Sequence, residues 1–200
     1  MSGVISTIVA YLLGSFSLAG LFRYLAKPLN KHGEIDGYAD SLKDINETSK
    51  IPLLVSILSD ICISALVVYL TKIVTNSVFI SMLAGIAIMA GHNWSLFSKF
   101  KGSLGFAAMI GALAPIVSWQ LIFGIIAAGV LLWITRRPGI SLAYGILAIS
   151  GYQYIDNGVW HSVIYPWILF VLVLVKRFQI TRLQSNMLCY KNLGKLGDIA

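Results

Sequence analysis

Charged residues are scarce in this chain. Asp, Glu, Lys and Arg make up 12% of its 200 residues, whereas 58% are hydrophobic. A soluble domain usually has about a quarter charged residues, so this composition excludes an ordinary soluble globular protein. The apolar runs are long and do not alternate with polar residues, which argues against an outer-membrane β-barrel. The sequence therefore predicts an all-α, polytopic membrane protein.

The chain has only two cysteines. It also lacks the residue patterns of metal sites and of serine hydrolases. Cys62 and Cys189 fall in a predicted membrane helix and in the C-terminal segment, and no CxxC or other metal-ligand spacing occurs. A GxSxG nucleophile elbow is also missing. We therefore expect no disulfide, no metal ion and no cofactor.

The first apolar run has no positive charge in front of it. Arg23, the first basic residue, comes after the run, whereas a signal peptide carries its charge before it. We therefore expect a retained first helix with its N-terminus outside. The whole chain, residues 1–200, is predicted to be one integral membrane domain, with a basic, interfacial cytoplasmic tail at 176–200.

Long apolar segments are what the sequence has in abundance. They predict about seven transmembrane helices, with five or six as the alternative, because several segments are shorter than the roughly 20 residues that span a bilayer comfortably. The segments are 4–23, 51–71, 75–91, 104–118, 119–135, 140–155 and 160–175.

Basic residues are distributed unevenly across this predicted topology. With seven spans, the loops 24–50, 92–103 and 136–139 and the tail from 176 face inward. All but Lys72 of the 15 Lys and Arg residues lie in or beside these regions. Cytoplasmic loops are enriched in Lys and Arg. We therefore expect a multi-pass protein of the inner (plasma) membrane whose functional site faces the cytoplasm.

The inward loops combine cations with glycine and small polar residues, which suits phosphate groups. Single bases at helix ends are more often topology signals or lipid anchors. Asp60 differs, because a carboxylate within a span is functional or bonded to a neighbour such as Ser56 or Ser59. The tryptophans near helix ends are interpreted as interface anchors, namely Trp94, Trp119, Trp160 and Trp167.

The stretch GHNWSLFSKFKGSLG at 91–105 resembles the second motif, GHxxPxFxxFKGGKG, of the bacterial acyl-phosphate-dependent glycerol-3-phosphate acyltransferases. Further resemblances follow in the family's order: YLLGSFSLAG at 11–20, KHGEIDGYADSLK at 31–43, a helix with Asp60, TRRPGISLA at 135–143 and KRFQITRL at 176–183. Together they cover almost the whole chain. They imply the family's membrane fold and its reaction in phospholipid biosynthesis, the transfer of an acyl chain from acyl phosphate to glycerol 3-phosphate, giving lysophosphatidic acid.

The resemblance also implies which residues act. The expected catalytic residues are Lys101, Ser141 and Gln179. The expected substrate-binding residues are His92, Asn93, Gly102, Lys43, Arg136, Arg137, Lys176 and Asp60. Lys101 with the Gly102 amide is the first expected phosphate clamp, and an arginine with Ser141 is the second. An acyl phosphate is already activated, so orientation and donors to the developing charge suffice.

Several motif positions depart from the family pattern. Glu34 replaces a serine, Leu104 a lysine, and Lys176 and Gln179 a histidine and an asparagine. These changes alter charge and hydrogen bonding at expected phosphate positions. The favoured hypothesis is an acyltransferase that acts on acyl phosphate and glycerol 3-phosphate among membrane lipids. The alternative is a catalytically inactive scaffold that binds lipid or regulates a membrane-enzyme partner. No nucleic acid is expected as a ligand.

Overall fold

The computed structural model of the chain describes residues 2–16, 50–96, 105–157 and 160–197. All regular structure in these ranges is helical, which confirms the predicted all-α class. The helices are α1 (Ser2–Ser15), α2 (Lys50–Thr75), α3 (Val78–Asn93), α4 (Phe106–Thr135), α5 (Pro138–Asn157) and α6 (Trp160–Gly197).

The outer surface of the helix bundle is apolar. Trp133 and Ile155 are 84% and 85% exposed, and most other large exposed side chains are Leu, Ile, Val or Phe. Leu54–Thr75, α4 and Trp160–Arg182 are long and apolar enough to cross a bilayer, while α1 and α3 are apolar but shorter. The protein is therefore a helical membrane protein. The number of its membrane crossings stays a prediction.

Helix α4 doubles back on itself. Its backbone leaves helical geometry at Val117 (φ −115°, ψ 25°), two residues after Pro115, which cannot donate a helical hydrogen bond. A straight helix of this length would be about 45 Å long. Yet Phe106 at its start and Leu132 near its end line one cleft beside α5. Both ends of α4 therefore lie at the same end of the bundle.

We name this end the polar end. It gathers the ends of α1 and α3, both ends of α4, the start of α5 and residues 176–182 of α6. The opposite end, named the far end, contains the end of α2, the bend of α4 and the end of α5. At the polar end the hydroxyl of Ser95 donates to the carbonyl of Ser15. At the far end the ammonium of Lys72 donates to the carbonyl of Pro115 at 3.1 Å.

Glycines allow α1 and α3 to cross closely. A Cβ atom on Gly14 would overlap the carbonyl oxygen of Ile88, and one on Gly91 would overlap that of Tyr11. Lipid provides no hydrophobic drive for helices to associate, so tight backbone packing takes that role. The crossing places the end of α3 firmly within the polar end.

One predicted segment boundary lies close to the observed one, and another differs. The predicted segments 104–118 and 119–135 correspond to the two arms of α4, which join at the non-helical Val117 without an intervening loop. Residues after 175 do not begin a separate segment, since α6 continues unbroken to Gly197. The residues beyond Lys176 are mostly good helix formers such as Arg, Gln, Leu and Met, which explains the continuation. The interfacial role of this basic tail stays a prediction.

Candidate functional site at the polar end

Asn93 joins three helices at the end of α3. Its side chain is fully buried, and its Nδ2 donates to the carbonyl of Leu172 in α6 at 3.3 Å. Its Oδ1 faces Gly105, where a Cβ would overlap it, and finds no hydrogen-bond partner among the described residues. Gly105 has a φ of 65°, in the left-handed region that favours glycine. Asn93 therefore contacts Gly105 across the two flanks of the segment that contains Lys101 and Gly102.

Asp60 and His92 form a buried pair between α2 and α3. His92 Nε2 lies 3.3 Å from Asp60 Oδ2, and the side chains are 6% and 10% exposed. A carboxylate within a membrane span is costly unless it is paired, so the imidazole is its compensating partner. Ser59, one of the partners considered from the sequence, donates to the carbonyl of Ser56 instead. The pair holds the ring of His92 beside Asn93.

Trp94 follows these two residues and contacts α6. Its Nε1 donates to Gln179 Oε1 at 3.2 Å, and the Nζ of Lys176 lies 5.9 Å from its ring centroid. Lys176 is 4% exposed, so its ammonium is held inside the polar end. The sequence indicated an interface anchor here and did not reveal the contacts of the indole with α6. Its position directly after His92 and Asn93 was the one signal that could have revealed them.

Ser141 lies where α4 passes into α5. Arg136 ends α4 in the left-handed region (φ 53°), and its N–H donates to the carbonyl of Leu132. The Ser141 hydroxyl donates to the carbonyl of Arg137 at 3.0 Å and lies 3.3 Å from Thr135 Oγ1. Ser141 is buried, whereas both arginine side chains are exposed. The hydroxyl therefore anchors the turn from which the two guanidinium groups extend.

Helix α6 connects this turn with the end of α3. Arg177 directly follows Lys176, which contacts Trp94. Its Nη1 lies 3.6 Å from the position that a Cβ atom on Gly139 would occupy. The polar end thus brings together seven predicted site residues, with Asp60 behind them: His92, Asn93, Arg136, Arg137, Ser141, Lys176 and Gln179. Lys43, Lys101 and Gly102 lie outside the described residues.

Positive charge dominates this end of the described structure. Of the described side chains, only Asp60 and Asp156 are carboxylates; Asp60 is paired with His92 and Asp156 lies at the far end. The cations at the polar end include Arg136, Arg137 and Lys176. Such an imbalance attracts anions, and guanidinium groups match phosphate oxygens in particular. No three His, Cys, Asp or Glu side chains in the described ranges come together as a metal site.

An apolar cleft opens beside the α4–α5 turn. It has a volume of about 270 Å³ and lies between the two arms of α4 and the first half of α5. Ser141 is the one polar side chain in its lining, which otherwise includes Phe106, Leu121 and Ile146. The exposed Arg136 and Arg137 lie between the lining residues Leu132 and Pro138, and we name this side of the cleft its cationic mouth. A cleft of this kind suits an amphiphile with an anionic head and a hydrocarbon chain.

Comparison with known proteins places this architecture among lipid enzymes. The family model described as glycerol-3-phosphate acyltransferase matches residues 4–187. The glycerol-3-phosphate acyltransferase of Halalkalibacterium halodurans is 30% identical over 134 residues, which cover 66% of this chain and 65% of that protein. That of Prochlorococcus marinus is 27% identical over 173 residues, covering 85% and 84% of the two chains.

A solved structure shares the fold. The crystal structure of PlsY (YgiH), an integral membrane glycerol 3-phosphate acyltransferase, in its glycerol 3-phosphate form matches with a TM-score of 0.71. The match covers 93% of this chain and 94% of that one at 18% sequence identity. The lysophosphatidic acid form matches with a TM-score of 0.69 at 19% identity. The similarity therefore extends over nearly the whole helical architecture.

Proposed function

The chain belongs to the glycerol-3-phosphate acyltransferase family, and from this premise we propose that it is an active acyltransferase. It transfers an acyl chain from acyl phosphate to the 1-hydroxyl of glycerol 3-phosphate, and the products are lysophosphatidic acid and inorganic phosphate. The observation that carries the proposal is the meeting of a cationic cluster with an apolar cleft at the α4–α5 turn.

The cationic cluster would hold two phosphate groups side by side. Lys101 and the Gly102 amide form one clamp in this proposal, and Arg136 or Arg137 with Ser141 forms the other. Lys43 and Lys176 add charge to the same region, while His92, Asp60 and Asn93 support the loop that carries Lys101. Fixing two reactants in the attacking geometry can by itself supply several kcal/mol of the acceleration.

The apolar cleft would hold the acyl chain. With the chain lying between the arms of α4 and α5, the carbonyl carbon comes to rest at the cationic mouth near Ser141. The hydroxyl of glycerol 3-phosphate then attacks this carbon, and phosphate leaves as the C–O bond of the mixed anhydride breaks. The proton of the attacking hydroxyl passes to the departing phosphate. Lys101 and Gln179 donate hydrogen bonds to the charge that develops on the carbonyl oxygen and the leaving phosphate. The Ser141 hydroxyl joins them by turning away from the Arg137 carbonyl, to which it donates in this structure.

The reaction would take place at the cytoplasmic face of the inner membrane. The support for this orientation is the uneven distribution of Lys and Arg, which favours a cytoplasmic polar end. Both substrates then reach the site from the same side, acyl phosphate by lateral diffusion in the leaflet and glycerol 3-phosphate from water.

The test uses the purified full-length protein in detergent with acyl phosphate and glycerol 3-phosphate. Released phosphate and lysophosphatidic acid are measured together, with Lys101→Ala as the control. We expect both products in equal amounts from the wild type and neither from the variant. Turnover by Lys101→Ala at the wild-type rate would refute the assigned clamp.

Other outcomes distinguish the alternatives. Phosphate release without the lipid would mean that the donor site works but that the acceptor is a different molecule. Neither product from a folded wild-type sample would overturn the enzyme proposal and support a regulatory scaffold. Co-purification with another membrane lipid enzyme would then be the next observation to seek.

A further inference from the structure

The backbone of Trp94 is anchored on both sides. Its N–H donates to the carbonyl of Ala90 at 2.8 Å, and its own carbonyl accepts from the hydroxyl of Tyr11 at 3.0 Å. Tyr11 belongs to α1, whose close crossing with α3 is set by glycines. The indole ring is therefore presented to α6 from a fixed base.

Two side chains of α6 meet this ring in different ways. Lys176 places its ammonium over the ring at 5.9 Å from the centroid, within the range of a cation–π contact. Gln179 accepts the indole N–H at 3.2 Å. The two residues are three positions apart on one helix, so they occupy the same face.

The indole decides which end of the Gln179 amide is available. An indole N–H can only donate, so it occupies the amide oxygen and leaves the Nε2 hydrogens to face another partner. An ammonium also only donates. Both groups around Trp94 are consequently hydrogen-bond donors, and Arg177, which lies between them in the sequence of α6, reaches Gly139 at the α4–α5 turn.

We propose that Trp94 is a positioning residue for acyl transfer, which presents Lys176 and Gln179 as paired donors to the oxygens of the reacting acyl phosphate. The inference rests on the proposed function and adds a residue to it. Trp94 itself does not touch the reacting atoms in this scheme. Its contribution is the orientation of the two residues that stand where the family pattern has histidine and asparagine.

The first test is a double-mutant cycle on turnover. Trp94→Phe keeps an aromatic face for Lys176 but removes the N–H that fixes Gln179. We expect its kcat to fall about tenfold, with the KM for glycerol 3-phosphate within about twofold of wild type. Trp94→Phe combined with Gln179→Leu should be no slower than Gln179→Leu alone. Losses that multiply in the double variant would overturn the proposal.

Two further variants separate positioning from packing. Gln179→Glu still accepts the indole N–H but offers no donor, so it should be at least as slow as Gln179→Leu. Wild-type turnover by Gln179→Glu would contradict the donor role. Trp133→Phe is the matched control. It makes the same substitution at a tryptophan near the end of α4 that is 84% exposed, and its kcat should stay within about twofold of wild type.

A labelling experiment tests the ring contact without any turnover. Acetylation of Lys176 by a water-soluble amine reagent is followed by mass spectrometry in the wild type, Trp94→Phe and Trp94→Leu. We expect several-fold faster acetylation in Trp94→Leu only. Equal rates of Lys176 acetylation in all three proteins would refute the ring contact. Absence of turnover in the wild type, by contrast, would refute only the proposed function. The two failures are therefore distinguishable.

Discussion

The two ends of the bundle use similar residues for different purposes. At the far end, Lys72 donates to the carbonyl of Pro115 and Gln120 donates to Asp156 at 3.2 Å, so each polar group is matched by another part of the protein. At the polar end, Arg136 and Arg137 are exposed, and among the described residues the cations there outnumber the carboxylates. An excess of donors at one end, rather than polarity as such, is what we expect where an anionic ligand binds.

The far-end lysine also explains an exception in the sequence. Lys72 is the one basic residue outside the predicted inward regions. A bend after a proline leaves helix carbonyls without their usual donors, and the ammonium of Lys72 supplies one to Pro115. Its position is therefore a requirement of the bend in α4 and says nothing about ligand binding.

Exchange of one lysine at each end gives the largest expected contrast. Lys176→Met removes a cation from the candidate site and should lower kcat/KM about 100-fold, because donors to developing charge are worth a few kcal/mol each. Lys72→Met removes a cation of the same kind from the far end and should stay within about threefold of wild type. Steady-state phosphate release measures both. Equal losses would show that the two ends do not differ in function.

Exchange of one carboxylate at each end should affect stability next. Asp60→Asn leaves the buried His92 without its carboxylate partner, and loss of a buried hydrogen-bonding partner costs about 1–3 kcal/mol of unfolding free energy. Asp156→Asn, on an exposed side chain, retains an acceptor for Gln120 and should cost less than about 0.5 kcal/mol. Thermal unfolding in detergent reports the difference. A higher melting temperature for Asp60→Asn than for Asp156→Asn would disprove the structural importance of the pair.

Two glycines allow a finer comparison, between the cleft and the surface away from it. Gly129 lines the cleft and has open space around its Cβ position, and the same open space surrounds Gly151 outside the cleft. Gly129→Leu should narrow the cleft and lower the ratio of long-chain to short-chain acyl phosphate turnover about fivefold. Gly151→Leu should leave the ratio unchanged. An unchanged ratio in Gly129→Leu would place the acyl chain elsewhere.

Much of this arrangement could be predicted from the sequence. The apolar runs predict the helices, and the resemblance of residues 91–105, 135–143 and 176–183 to family motifs identifies three chain segments that meet at the polar end. Two of these motifs sit at helix ends, and the third lies within α6, where it faces them across the polar end. His92 and Lys176 were identified in this way without knowledge of the packing.

Other features depend on contacts that no local pattern records. Trp94 is a tryptophan near a helix end, which by itself indicates an interface anchor. Only the packing of α6 against it shows that its indole N–H donates to Gln179. The pairing of Asp60 with His92 joins two helices whose relative rotation the sequence does not specify. The bend in α4 could be predicted in part, since Pro115 signals a break in the helix but does not specify the angle of the bend.

The bend in α4 has a consequence for how the protein is made. The arm before it, from Phe106 to Ile116, is about 16 Å long as a helix, roughly half the thickness of the hydrocarbon core. Such a short arm cannot settle across a bilayer while the ribosome is still adding the second one. We therefore expect the two arms to enter the membrane together as a hairpin, with Pro115 leading, and the cleft to be completed only when α5 packs against them.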